Sequence, residues 1–204
     1  MIHPDTELQF INEDIGYGVV AKSFIPKGTV TWVLDKFDRT FDPKTVEKFD
    51  PVYRNIVDTY CYRNNLGQYV LCWDHPRFVN HSFRSNCLTT AYDFEIAVRD
   101  IAPGEQLTDD YGYLNIDVPF KPVDEGTRRK TVYPDDLLRY HRRWDLLLKN
   151  ALERAPDLPQ PLSEIIDPET WNKVVKISRN EEEMDSILMC FYKEDVAAIS
   201  AKLK

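Results

Sequence analysis

Three short polar segments contain the residues whose types and spacing could do chemistry. In Gly16-Tyr17-Gly18, two glycines flank an aromatic residue, so a ligand could approach the backbone closely because no Cβ stands in the way. Residues 77–87 (RFVNHSFRSNC) set the pair Asn80-His81 beside apolar side chains. Residues 104–113 (GEQLTDDYGY) place Tyr111 after a Pro-Gly turn. Amides, an imidazole and a phenol can bind and orient a ligand, and none of them is a strong nucleophile.

Each segment also has a purely structural interpretation. Asn and His in a turn commonly bond to nearby backbone, and a tyrosine hydroxyl commonly satisfies a buried hydrogen bond. The run from Gly16 to Ala21 matches the dinucleotide fingerprint G-x-G-x-x-A, but that fingerprint must open a helix. Here Pro26 and Gly28 break the next turns and the run is of β type, so a Rossmann site is not expected.

The cysteines and histidines predict no metal site. Cys72, His75, His81 and Cys87 could supply two sulfurs and two nitrogens, but their spacing matches no zinc module and a cysteine on a strand is more often part of the core. Four scattered cysteines are too few for a disulfide framework in 204 residues, so reduced thiols are expected.

The charge and the apolar pattern limit the class of protein. The formal charge is −8, and most of the acidic surplus lies in residues 1–113. This surplus disfavours direct nucleic-acid binding and favours basic partners, although it could serve solubility alone. No apolar run is long enough for a membrane span, and the first residues lack a signal-peptide pattern. We therefore expect an intracellular protein, cytoplasmic or nuclear.

The periodicity predicts a β-rich front followed by helices. Short β-type runs fall at residues 8–11, 19–21, 29–34, 68–73 and 88–99. Apolar residues recur at helical spacing over 42–63, which indicates a helical insert. Beyond residue 112 the strand signals end, and residues 134–155 and 181–203 have helical patterns.

Taken in order, the three segments resemble those of the SET-domain protein lysine methyltransferases. The shared features are a Gly-x-Gly strand, an Asn-His-Ser segment followed by Asn-Cys, and Gly-Glu-x-Leu-Thr-x-x-Tyr. The resemblance covers about residues 8–113. It implies an α+β fold of small sheets with a pseudoknot-like crossing, in which a SET catalytic domain (1–113, with the insert at about 42–63) precedes a C-terminal lid and helical extension (114–204).

The resemblance also implies roles for particular residues. Gly16, Tyr17 and Gly18 would line the methionine part of S-adenosylmethionine. Asn80 and His81 would bind the same cofactor, including its adenine. Tyr111 would be catalytic and would also contact the cofactor, orienting the neutral amine of a lysine in a basic protein substrate. Because the donor methyl is already activated, alignment and an orienting dipole are the main requirements.

Two departures from the family pattern affect these expectations. Asp109 stands where many relatives have an aromatic residue that helps to set the number of methyl groups added. The chain also has no cysteine between Cys87 and Cys190, so a lid from residues 114–148 would have to replace the Cys-rich zinc segment of many relatives. Candidates to cover the adenine or wall the channel, each with core packing as the alternative, are Phe120, Tyr133, Tyr140 and Trp144.

Two alternatives concern activity and assembly. A catalytically inactive SET-like module that binds basic peptides or a protein partner is the alternative function, and the intact Asn80, His81 and Tyr111 favour the enzyme. The chain could be a monomer, or a homodimer formed through the helical tail. A tail packed on its own SET core is the preferred interpretation.

Overall fold

The computed structural model describes residues 1–193 of the chain. These residues contain ten short strands and four α-helices. The strands are β1 (Thr6–Asn12), β2 (Gly16–Ala21), β3 (Val30–Val33), β4 (Arg39–Phe41), β5 (Cys61–Arg63), β6 (Tyr69–Leu71), β7 (Asn80–His81), β8 (Cys87–Thr89), β9 (Phe94–Ala97) and β10 (Thr108–Asp109). The helices are α1 (Pro43–Val46), α2 (Pro51–Tyr60), α3 (Asp136–Leu152) and α4 (Pro168–Ser178). The predicted α+β class with small sheets is confirmed.

The strands form four small sheets instead of one large one. β1 and β2 make an antiparallel hairpin, and the orders β3-β9-β8 and β4-β6-β5 make two antiparallel three-stranded sheets. β7 and β10 form a short parallel pair, with Asp109 opposite His81. This pair joins the Asn-His segment to the strand that precedes Tyr111, so the two polar segments lie side by side.

Asn86 holds these two neighbouring segments together from inside the protein. Its fully buried side chain accepts a hydrogen bond from the Thr108 N–H at 2.8 Å and donates one to the Gln106 carbonyl at 2.7 Å. A buried amide that satisfies two backbone groups of another segment fixes the position of that segment.

Helix starts follow the local sequence. α1, α2 and α4 each begin with proline, whose fixed φ and missing N–H suit the first helical position. The Asp167 carboxylate caps α4, which the periodicity did not predict. Residues 61–63, predicted as the end of the helical insert, are instead strand β5, because Cys61 to Arg63 pair with β6.

The C-terminal part packs on the β-rich part through one shared core. Trp144 and Leu148 of α3 lie in the same buried cluster as Val30 of β3 and Phe94 of β9. Gln160 joins the two parts by polar contacts, since it donates to the Gly28 carbonyl at 2.8 Å and accepts from the Val30 N–H at 2.9 Å.

Two predictions about the tail have different outcomes. α3 falls within the predicted helical range 134–155. Over 181–193 the chain forms only a 3-10 helix, Ile187–Cys190, and the rest of the predicted helical stretch 181–203 lies outside the described residues. Within residues 1–193, no helix combines the length and apolar character needed to cross a membrane.

Candidate functional site

Tyr111 is fixed by hydrogen bonds at both its backbone and its hydroxyl. It follows β10 and opens a 3-10 helix, Tyr111–Tyr113, whose N-terminus is capped by Asp110. Its hydroxyl donates to the Val79 carbonyl at 2.8 Å, and its backbone N–H donates to His81 Nδ1 at 3.1 Å. Because the hydroxyl hydrogen is used, the phenol oxygen is left as an acceptor for a further group. Burial, and then the charge of Asp109, raise the pKa of Tyr111, so the phenol stays neutral.

His81 is a neutral side chain with one free nitrogen. Burial lowers its pKa to about 4. Since Nδ1 accepts the bond from Tyr111, the proton of the neutral ring lies on Nε2. Nε2 is buried and has no hydrogen-bond partner among residues 1–193. Aromatic rings surround the imidazole, with centroids 4.5 Å away for Phe83 and 5.8 Å away for Phe120.

Asn80 connects the Gly-x-Gly strand to the segment before β10. Its Nδ2 donates to the Tyr17 carbonyl at 3.1 Å and to Gln106 Oε1 at 3.0 Å. Both side-chain donors are therefore used inside the protein, and the side-chain oxygen is left to accept a bond from a ligand. The family resemblance gave Asn80 a binding role only, whereas the structure adds this structural one.

The two glycines of the Gly-x-Gly motif have different requirements. A Cβ on Gly18 would lie 2.5 Å from Gln106 Oε1 and 2.7 Å from Asn80 Nδ2, so only glycine leaves room for this amide pair. Gly16 has open space around it, and its φ of +79° is the reason for glycine there. The Tyr17 side chain is 53% exposed and packs edge-on against Phe10.

A cavity of about 910 Å³ opens beside Tyr111. Val79 and Phe120 line it together with Tyr111, and other walls carry the aromatic rings of Trp32 and Tyr62. A cavity with aromatic walls and a tyrosine at one side suits an extended side chain with a methylene stem and a polar end.

Asp109 and Glu95 are two of the carboxyl groups that line this cavity. Asp109 of β10 is buried, and Glu95 of β9 keeps some surface that faces the cavity. Burial raises the pKa of Asp109 to about 6. Burial, and then the neighbouring Asp109, raise the pKa of Glu95 well above its usual range. At neutral pH the pair therefore binds a proton more readily than two exposed carboxyl groups would.

The residues beside Tyr111 are anchored by a buried ion-pair cluster. Arg129 pairs in bidentate fashion with Asp110 and also reaches Asp136 at 2.5 Å, and both carboxylates are buried. A Cβ on Gly112 would lie 2.8 Å from this guanidinium, so glycine is required there too. Asp136 begins α3, and the cluster thus ties the tyrosine segment to the C-terminal part.

Two segments after the tyrosine close the cavity. One includes Phe120, which lies 5.8 Å from the Tyr111 ring. The other is the C-terminal stretch around Met189 and Cys190, which also lines the cavity. Asn115 joins them by donating to the Cys190 carbonyl at 2.8 Å.

Of the four aromatic residues considered for a lid, only Phe120 lines the cavity. Trp144 lies in the core against Tyr113, and Tyr140 packs against Trp144 and Arg129. Tyr133 is half exposed and packs with Arg139. Core or surface packing therefore accounts for these three, and Asp185, Met189 and Cys190 are lining residues that lie outside the predicted lid of 114–148.

The cysteines are thiols with raised pKa values. Burial raises the pKa of Cys61 to about 11 and that of Cys190 to about 12. Cys72 and Cys87 are buried, and burial raises the pKa of each thiol further. Among the residues from 1 to 193, no group of three or more His, Cys, Asp or Glu side chains is arranged to hold a metal ion.

Residues 16–112 match the family model described as SET domain. By this match, residues 16–112 of the chain are a SET domain. The match begins at Gly16 and ends one residue beyond Tyr111, so it contains all six residues predicted for the site. The family in general comprises protein-lysine methyltransferases that use S-adenosylmethionine. No curated protein matches the chain.

Several residues of the site were not predicted from the sequence. Gln106 and Arg129 carry no pattern that would distinguish them from surface residues. Glu95 carried one usable signal, because a carboxylate stands between Phe94 and Ile96 in an otherwise apolar strand. Asp109 was noticed only as a departure from the family pattern.

Proposed function

We propose that the chain is an S-adenosylmethionine-dependent protein-lysine N-methyltransferase. The observation that carries the proposal is the setting of Tyr111 at the cavity wall. Its hydroxyl hydrogen is held by the Val79 carbonyl, and its oxygen is left to accept a hydrogen bond. A fixed acceptor at one point of the wall can orient an amine before transfer, which is the main contribution a protein makes to this reaction.

The residues of the SET domain fit the cofactor on two counts. His81 offers a buried Nε2–H donor that has no partner among residues 1–193, and buried donors normally have one. Asn80 keeps its side-chain oxygen available while its donors are used by Tyr17 and Gln106. In this proposal Asn80, His81 and the backbone of Gly16-Tyr17-Gly18 hold the cofactor, and Tyr111 contacts it from the cavity side.

When bound, the cofactor supplies an activated methyl group on a sulfonium. The protein aligns the amine and excludes water, and the lysine must lose its proton before transfer. A lysine amine in water has a pKa near 10.4; burial against the aromatic walls disfavours the ammonium ion, whereas the carboxyl groups of the cavity favour it. Tyr111, whose own pKa is raised, acts as an orienting group and not as a base.

The substrate is proposed to be a basic protein. The cavity is lined by six carboxylate side chains and only two arginines. One of these, Arg63, already pairs with Asp117, and its guanidinium lies between the rings of Tyr69 and Tyr192. A cavity with this excess of negative charge attracts Lys-rich and Arg-rich segments.

The test is methyl transfer from labelled S-adenosylmethionine to a mixture of basic proteins, with mass spectrometry to locate the modified lysines. Cofactor binding is measured separately by calorimetry. Tyr111→Phe removes one oxygen, and we expect transfer to fall about a hundredfold or more while cofactor affinity stays within a few-fold. Tyr53→Phe changes an exposed tyrosine of α2 and should leave both quantities unchanged.

Other results would contradict the proposal. Cofactor binding without transfer to any basic protein, together with tight binding of basic peptides, would favour the inactive binding module. Near-normal turnover of the Tyr111→Phe variant would remove Tyr111 from the catalytic role.

A further inference from the structure

Asp109 and Glu95 are carboxyl groups that no cation of the described chain neutralises. Among residues 1–193, no lysine or arginine forms an ion pair with either of them. The neighbouring Asp110 is different, because Arg129 pairs with it directly. Two adjacent carboxyls without a counter-charge are unfavourable in a buried position.

Unpaired polar atoms surround the same part of the cavity. Trp32 Nε1, Asp109 Oδ1 and Tyr113 Oη are all buried and have no hydrogen-bond partner within the described residues. The three residues are at most 5% exposed, and all three line the cavity. Buried polar groups in folded proteins nearly always have partners, so an open acceptor such as Asp109 Oδ1 indicates a ligand that carries hydrogen-bond donors.

We infer that Asp109 and Glu95 form the recognition site for the ammonium group of the substrate lysine. This inference rests on the proposed function for the identity of the substrate. An ammonium group brings a positive charge and three N–H donors, which match one unpaired carboxylate oxygen and a second carboxyl beside it. The rings of Trp32 and Tyr62 provide apolar walls for the methylene stem.

The same arrangement selects by methylation state. Each methyl group already on the nitrogen removes one N–H donor, so the ammonium form of dimethyl-lysine keeps only one of the three. Unmethylated lysine therefore makes the most hydrogen bonds to the carboxyl pair, and dimethyl-lysine is the poorest acceptor of a further methyl.

The first test uses n-butylammonium, a probe that needs neither cofactor nor turnover. Its binding is followed through the indole N–H signals of the four tryptophans, Trp32, Trp73, Trp144 and Trp171, in a nitrogen-15 NMR titration of the full chain. Only the Trp32 signal should shift, since it is the tryptophan that lines the cavity. Tetramethylammonium and n-butanol, which lack N–H donors or charge, should bind at least tenfold more weakly.

Two isosteric variants and one control identify the groups responsible. Asp109→Asn and Glu95→Gln should each weaken n-butylammonium binding at least tenfold. Asp58→Asn removes one charge from an exposed position on the rim and should weaken it less than threefold. Equal binding in all four proteins, or an absent Trp32 shift, would overturn the inference, and the signal dispersion of each variant shows whether it has folded.

The second test measures transfer to matched peptides that carry unmethylated or dimethylated lysine. The wild-type protein should prefer the unmethylated peptide, and this preference should fall about tenfold in either carboxyl variant with unchanged affinity for S-adenosylmethionine. Unchanged preference in both variants would overturn the inference while leaving the proposed function intact. If the chain transferred no methyl at all, the proposed function would fail, and the n-butylammonium titration would still decide whether the pair binds an amine.

Discussion

At the scale of single residues, the proposed site depends on side chains that hold the fold together and leave a hydrogen-bonding group for the proposed ligand. Asn80 uses its donors to hold the Gly-x-Gly strand against Gln106 and keeps its oxygen for a ligand. His81 uses Nδ1 to position the Tyr111 backbone and keeps Nε2–H. A variant of either residue therefore alters both packing and binding. Gly16 and Gly18 of the Gly-x-Gly motif allow the two effects to be tested separately.

Gly18→Ala should weaken cofactor binding more than it weakens the fold. Its Cβ would displace the amide ends of Asn80 and Gln106, which are side chains that can move. We expect at least a tenfold loss of S-adenosylmethionine affinity by calorimetry. Gly16→Ala meets no neighbour but is strained by its positive φ, so it should cost about 1 kcal/mol of unfolding free energy.

Gly104 is a control that separates the effect of backbone strain from the effect of lying in the Gly-x-Gly motif. Gly104 has a φ of +81° and the same open surroundings as Gly16. Gly104→Ala should match Gly16→Ala in stability and leave cofactor affinity unchanged. An affinity for Gly18→Ala equal to that of the wild-type protein would contradict the proposed place of the amide pair beside the ligand.

Asp109→Asn should stabilise the protein at alkaline pH. The pKa of Asp109 is raised to about 6 by burial, so the folded state holds this proton more tightly than the unfolded state. The contribution of this bound proton to the free energy of unfolding is fully present below about pH 4, and it is lost as the pH rises through about 6. The amide cannot ionise, so at pH 8 the variant should be more stable by about 1–3 kcal/mol.

Urea unfolding of both proteins at pH 4, 6 and 8 measures this difference. His81 has a lowered pKa, so low pH destabilises both proteins through this residue. This effect is the same in both proteins and cancels in the difference between their unfolding free energies. The difference in unfolding free energy should shrink toward zero at pH 4. A difference that does not change with pH would mean that Asp109 is not a group with a raised pKa.

At the scale of elements, the sequence predicted periodic segments well and short pairings poorly. The β-type runs at 19–21 and 29–34 and the helix within 134–155 carry apolar patterns that survive in the fold. β7 and β10 have two residues each and no pattern, because their pairing depends on contacts with distant segments. The same reason explains why Tyr111 could be chosen from a family resemblance while Glu95 and Arg129, which reach the site through tertiary packing, could not.

Arg129→Met should strongly destabilise the protein, because it leaves the buried carboxylates of Asp110 and Asp136 without a counter-charge. A loss of about 3–5 kcal/mol in unfolding free energy is expected. Arg139→Met is the matched control, since Arg139 pairs with Asp135 at an exposed i,i+4 position of α3 and should cost less than about 1 kcal/mol. Adding Asp110→Asn and Asp136→Asn to the Arg129 variant should restore part of the lost stability. If no stability were recovered, the dominant role of Arg129 would be its packing against Phe83 and Tyr140.

At the scale of the whole molecule, the SET domain and the C-terminal part share one core. The Gly-x-Gly, Asn-His and tyrosine segments all lie within residues 16–112, yet the cavity is completed by Met189 and Cys190. Because α3 packs its apolar residues on β3 and β9, the extension supports the site in addition to covering it. The homodimer considered for the tail stays a prediction.

Leu148→Ala should therefore weaken the SET domain although it lies outside the family match. Leu148 is 1% exposed and packs in the shared core, and truncating such a leucine typically costs about 2–5 kcal/mol. Leu146→Ala, in the same helix but 65% exposed, is the matched control and should change stability by less than about 0.5 kcal/mol. Urea unfolding is followed by far-ultraviolet circular dichroism and by loss of S-adenosylmethionine binding on the same samples. Because both parts share one core, the two signals should change at the same urea concentration, lower than in the wild-type protein. Cofactor binding that persisted after the helical signal was lost would mean that residues 1–113 fold independently of the extension.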